Sequence, residues 1–158
     1  VTDNYVYVLQ SAYMGTIKDK NDDDIHMYKV VMDGEVKVIA MDQKVTTGNG
    51  VYKYSVNTAL FDGDSANSVE PGVSTVEKMP ADTEIAYGQV AKSVISNTIT
   101  TTDDDIYEIS PDTEIIDITD IDNVKFDETL DAGDTFVVVF EKSNNLYIAK
   151  SIYITKNK

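Results

Sequence analysis

The sequence predicts an all-β fold, and three observations carry that expectation. No window of useful length holds an apolar period of 3.6 residues. Runs rich in Val, Ile, Thr and Tyr recur from one end of the chain to the other, the composition of half-buried strands. Turn residues separate these runs, with Asp33-Gly34 the strongest of the signals. Two small antiparallel barrels or sandwiches in tandem are expected, Val1–Met79 and Pro80–Lys158. One continuous β-sandwich is the alternative.

Tyr5-Val6-Tyr7-Val8-Leu9 opens the first strand, which Gly15 and the polar run Lys18 to Asp24 should break. Next comes the hairpin Ile25–Met32, Asp33-Gly34, Glu35–Met41. A two-residue turn pairs 32 with 35 and places Ile25, Met27, Val31, Val36, Val38 and Ala40 on one face. His26, Tyr28, Val30, Met32, Ile39 and Met41 take the other, so the hairpin should be covered on both sides. Gly48-Asn49-Gly50 leads into Val51–Val56. Residues 62 to 72 read as the longest loop, Val73–Met79 as a short strand, and Pro80-Ala81-Asp82-Thr83 as a boundary.

The second half resumes with Ile85–Thr101. Asp103-Asp104-Asp105 turns into Ile106–Ile109, and Ser110-Pro111-Asp112 turns into Thr113–Ile118. Leu130–Asp134 reads as a tight turn before the buried strand Thr135–Glu141, and Leu146–Thr155 as its return. A three-residue loop, Ser143-Asn144-Asn145, would pair Lys142 with Leu146 and set Phe136, Val138 and Phe140 beside Leu146, Ile148, Ile152 and Ile154. Lys150 would then point inward, which counts against that register. Two short self-similarities, Asp22-Asp23-Asp24-Ile25 with Asp103-Asp104-Asp105-Ile106 and Asp82–Ile85 with Asp112–Ile115, invite a two-module reading.

Composition bounds the function more tightly than any motif. All 13 basic residues are lysines, and 28 acids bring the formal charge to −15. Nucleic acid and anionic membrane are therefore excluded as partners, because phosphate contacts need a dense cationic surface. With no arginine, the bidentate clamp for phosphate or carboxylate is missing as well. Zero cysteines exclude disulfides, thiol catalysis and zinc thiolates. No run approaches the length of a membrane-spanning helix. The chain starts at Val1 without a signal-peptide pattern, and is read as a piece of a longer, processed protein.

Candidate chemistry is sparse. His26 is the single histidine, on a semi-apolar strand, and no nucleophile-elbow motif accompanies it. No enzyme is expected. Calcium is the one metal with a spacing in its favour: Asp19, Asn21 and Asp23 stand at positions one, three and five of a loop. The sixth position is Asp24 rather than glycine and the twelfth is Val30, so this is not an EF-hand. Ten tyrosines against four phenylalanines suit contact surfaces, with Tyr5/Tyr7 and Tyr52/Tyr54 each sharing a strand face.

From Ile85 onward the residues Thr98-Ile99-Thr100, Tyr107-Glu108-Ile109, Asp112–Ile115, Leu130–Val138 and Ile148–Ile154 resemble a small β-barrel module of secreted and cell-surface proteins of Gram-positive bacteria. Tyr5–Val8, Ser11–Tyr13 and Gly50–Val56 resemble the regions that follow S-layer homology anchors in such proteins. No anchor repeat is present here, and the family implies no catalytic residues. The resemblance implies a secreted or cell-surface location and a non-catalytic structural or spacer role, with neighbouring domains of a longer parent chain as partners. A carbohydrate- or protein-binding module that uses tyrosine-bearing strand faces against cell-wall glycan or protein is the alternative.

Overall fold

A two-residue turn needs backbone with positive φ, and Gly34 supplies it at +74°. The computed structural model describes residues 5–18, 22–32, 34–41, 50–53, 69–70 and 83–158. The chain divides into two compact units, Val1–Pro80 and Ala81–Lys158. The described residues are all-β, as expected, and hold no helix.

In the first unit the strands are β1 (Tyr5–Lys18), β2 (Asp24–Met32), β3 (Glu35–Met41), β4 (Gly50–Lys53) and β5 (Val69–Glu70). They form one sheet in the order β4-β1-β2-β3-β5. The β2–β3 register is the one the Asp-Gly turn dictates, with Met32 opposite Glu35 and His26 opposite Met41. Burial on both faces follows, since Ile25 and Val31 are as covered as Tyr28, Val30 and Ile39. Gly15 does not end the first strand. β1 runs through it at φ +94° and takes up register shifts between Val8, Tyr13 and Thr16. Val69–Glu70, read as loop, is a short parallel partner of β3. The strands expected at Val73–Met79 and beyond Lys53 lie outside the described residues. A Cβ at Gly34 would meet nothing within 4 Å, so the cost of Gly34→Val is backbone conformation alone. We expect a loss of about 1–2 kcal/mol, read as a lower melting point of the first unit. Unchanged melting would contradict the turn assignment.

In the second unit β6 (Thr83–Ile95), β7 (Thr98–Thr101), β8 (Ile106–Asp117), β9 (Thr135–Ser143) and β10 (Leu146–Lys156) close into a barrel, in the order β10-β8-β7-β6-β9. β8 and β10 are parallel, and every other pair is antiparallel. Numbered within the unit, the circuit is 1-2-3-5-4-1, the connectivity of the OB-fold, a five-stranded Greek-key barrel. Traced from Glu108 through Thr98, the ladder reaches β6 at Ile95. Traced the other way, through Ile148 and Glu141, it arrives at Thr83, twelve residues earlier on the same strand. Such a stagger forces strong strand tilt and lets so few strands close. The first unit connects its strands in the same sense: two antiparallel hairpin steps, a fourth strand beside the first, a fifth parallel to the third.

Bulges make the closure possible, and they correct two expectations. Asn144 and Asn145 form a two-residue turn, both with positive φ, so Ser143 and not Lys142 pairs with Leu146. The apolar sets are brought back into phase by a bulge at Lys150, between Ala149 opposite Phe140 and Ser151 opposite Val139. Ala149, Ile152 and Ile154 therefore share the core with Phe136, Val138 and Phe140, while Leu146 is exposed. Lys150 does not point inward; its ammonium lies 3.1 Å from Glu141. Ser110-Pro111-Asp112 is likewise no turn between strands. β8 continues through it, with Ile109 beside Ala149 and Glu114 beside Ser151. Proline is tolerated inside a strand at such a bulge. Thr113 Oγ1 holds the bulge in place, donating to the Ala149 carbonyl at 2.6 Å and accepting from the Ser110 amide at 2.9 Å. Thr113→Val should cost about 1–3 kcal/mol by leaving these two groups without it. A melting point equal to wild type would show the staple to be dispensable.

Residues 118–134 run irregularly from β8 to β9 and are tied down by backbone bonds, Ile118 N to Ile154 O at 3.0 Å and Glu128 N to Ile115 O at 3.0 Å among them. They deliver Leu130 into the core cluster of Ala91, Ile99, Tyr107, Phe136 and Ile152.

Candidate functional site

Outward-facing positions of β6, β7 and β8 make the most ligand-ready surface of the second unit. Strand alternation sends Val94, Ile99 and Tyr107 inward as one row. The rows on either side, Ile95-Thr98-Glu108 and Ser93-Thr100-Ile106, therefore face out. Ile95 is 69% exposed and Ile106 51%. Thr98 Oγ1 donates to Glu108 Oε2 at 3.0 Å, which fixes the carboxylate between the two isoleucines' strands. OB-fold proteins that hold oligonucleotides or oligosaccharides use the corresponding strands with the adjoining loops. Here the β6–β7 and β9–β10 connections are two-residue turns, Ser96-Asn97 and Asn144-Asn145. The face thus has short turns in place of those loop walls, and its bordering cation, Lys92, lies 3.7 Å from Asp104. It suits a flat protein contact better than a sugar or a phosphate.

A second cluster sits where β8, β9 and β10 bring Tyr107, Phe140 and Tyr147 together. The Tyr107 and Phe140 rings meet edge-on at 5.1 Å and 63°, and Phe140 lies 5.0 Å from Tyr147. Lys142 covers Tyr147 at 5.8 Å while its ammonium holds Glu84 at 3.0 Å. Burial, then the nearby Asp105 carboxylate, pushes the Tyr107 phenol up to about 12. That phenol is neutral across the ordinary pH range, and its folded value lies above its unfolded one. The stability it contributes is complete below about pH 10 and is lost as pH rises toward 12. The cluster is core packing with one charged lid, not a reactive centre.

The sequence-predicted metal ligands are only partly placed. Asp19 and Asn21 lie outside the described residues, and Asp23 is exposed. Lys18 stands 2.6 Å from Asp24, and each is shifted by that contact, the ammonium upward and the carboxyl downward. A fixed cation beside the loop works against a second one. Among the described residues no group of three or more acidic or histidine side chains is placed to hold a metal ion. His26 is half-buried within β2. Tyr5 and Tyr7, which share a strand face, are interior at 5% and 1% exposure, as ordinary strand packing would have them, and Tyr54 lies outside the described residues.

The acids that sequence reasoning missed are structural. Asp134 is 3% exposed, and its two carboxylate oxygens accept from the amides of Asp131 at 2.9 Å and Lys158 at 3.1 Å. Asp117 Oδ1 takes the amide and hydroxyl of Thr119, and Asp120 Oδ1 takes the amide of Asp122. Each carboxylate folds its own backbone into a turn, which leaves it less available to a cation. For Asp117 and Asp120 the local signal was an Asp followed two residues later by a residue whose amide it can reach, whereas the partners of Asp134 stand three residues earlier and at Lys158.

No protein family, curated protein or solved structure matches the chain.

Proposed function

We propose that this chain is a non-catalytic structural or spacer segment of a bacterial cell-surface protein, flanked by other domains of a longer parent. The observation that carries the reading is the repetition of one strand connectivity in two successive units, the second a closed barrel. A spacer needs units that hold themselves up, and this barrel does so with its own core and turn staples. The strongly acidic, all-lysine composition keeps such a segment soluble and away from nucleic acid. Binding of the full chain to a glycan array and to purified cell wall is the test. A spacer gives no saturable binding in either.

A protein- or glycan-binding role is the second reading, and the exposed Ile95 of β6 and Ile106 of β8 favour its protein form. It would be established by saturable binding that Ile95→Ser together with Ile106→Ser abolishes while melting is unchanged.

A further inference from the structure

The way tension would run through the second unit points to a property that a mere spacer does not need. The chain enters β6 at Thr83, which pairs with Glu141 near the β9–β10 turn. It leaves β10 at Lys156, which pairs with Thr135 at the opposite end of β9. β9 lies between these two strands and runs antiparallel to both, so β6 and β10 are parallel to each other. The two points are separated along β9 by about 20 Å and sideways by two strand spacings, about 10 Å. A pull on the chain ends is thus directed mainly along the strands.

Ladder hydrogen bonds lie across the strands. A load along the strand axis strains all of them together, whereas a load across it opens them one at a time. Closure adds to this. Neither β6 nor β10 is an edge strand: β6 is held by β7 and β9, and β10 by β8 and β9. Sliding β10 out must break both of its ladders and drag the Lys150 bulge past the Ser110–Thr113 bulge, where Thr113 is bonded to the Ala149 carbonyl. Where the chain leaves, Thr155 Oγ1 reaches the Thr135 carbonyl at 3.3 Å, and the Lys158 amide reaches Asp134 at 3.1 Å.

We propose that the second unit is a force-bearing module, whose first and last strands are clamped in shear on either side of β9. This rests on the spacer reading and gives it a load.

Single-molecule force spectroscopy on the full chain tests it. One preparation carries handles at the two chain ends. The other carries one at the amino end and one on Ser143→Cys, a unique thiol because the chain has no cysteine. Ser143 is exposed and sits at the same end of β9 as the residue paired with Thr83, so this geometry pulls across the strands. Release of about 24 nm identifies the second unit in the first geometry, and about 21 nm in the second. The expected rupture force is several-fold higher end to end, and the first unit's own event serves as reference in both. Equal forces in the two geometries would overturn the clamp. They would leave the spacer reading standing, since that fails only on saturable ligand binding.

Discussion

Phe136→Ala should leave the second unit close to unfolding at room temperature. The ring is fully buried, at 0% exposure, between Ile154 on β10 and the β6 strand that pairs at Gln89. Truncating a buried phenylalanine costs about 3–5 kcal/mol, through lost transfer energy and the cavity left behind. A unit of roughly 80 residues has about 4–12 kcal/mol in total, so the substitution removes a quarter of it or more. Denaturant titration of the full chain, with proton NMR dispersion as second probe, reads the loss. Leu146→Ala is the control, because that side chain is half exposed on the neighbouring turn and should shift stability by no more than ~0.5 kcal/mol. A Phe136→Ala loss no larger than the control's would mean that the cluster around Phe136 is not the core.

The second large effect is a fragment experiment. Residues 81–158 alone should fold reversibly, with modest stability. Every strand from β6 to β10 finds its neighbours inside the unit, and the cluster from Ala91 to Ile154 comes from the unit itself. Against this, a chain of such length buries only a little over ~60% of its surface, a marginal core. Circular dichroism and NMR dispersion on the fragment decide the matter. A disordered fragment would mean that the two halves share one core.

Strand existence was legible from side-chain type alone, and so was the β2–β3 register, because the Asp33-Gly34 turn admits one pairing. What the sequence concealed was bulges. Gly15 and Ser110-Pro111-Asp112 both look like strand ends, since glycine, proline and small polar residues mark turns and bulges alike. The structure runs strands through both, and long strands that bend at bulges are what a barrel requires. Lys150 shows the same ambiguity from the other side. Strict alternation placed its ammonium among isoleucines, and one extra residue removes the conflict. The repeated Asp-Asp-Asp-Ile pattern invited a two-module reading, and the chain does divide into two units, but the pattern does not mark equivalent positions in them. It precedes β2, the second strand of its sheet, and β8, the third strand of its barrel. It is shared turn grammar, not a repeat in register. The candidate face at Ile95 and Ile106 had no motif to announce it, because exposure there depends on which side of the barrel wall each isoleucine falls.

The closed circuit also settles how molecules of this kind can crowd together. An open sheet offers a row of unpaired amides and carbonyls on which a foreign strand can grow. In the second unit each strand is paired on both sides over part of its length, β6 with β9 from Thr83 to Val90 and with β7 from Ala91 to Ile95, so few such positions are left. In the first unit the outermost described strands are only four and two residues long, β4 and β5, and short borders are a known protection against the same hazard. Copies of the chain packed side by side would therefore find little free ladder on the described strands, and their association there would be sensitive to the −15 charge each carries and to the salt that screens it.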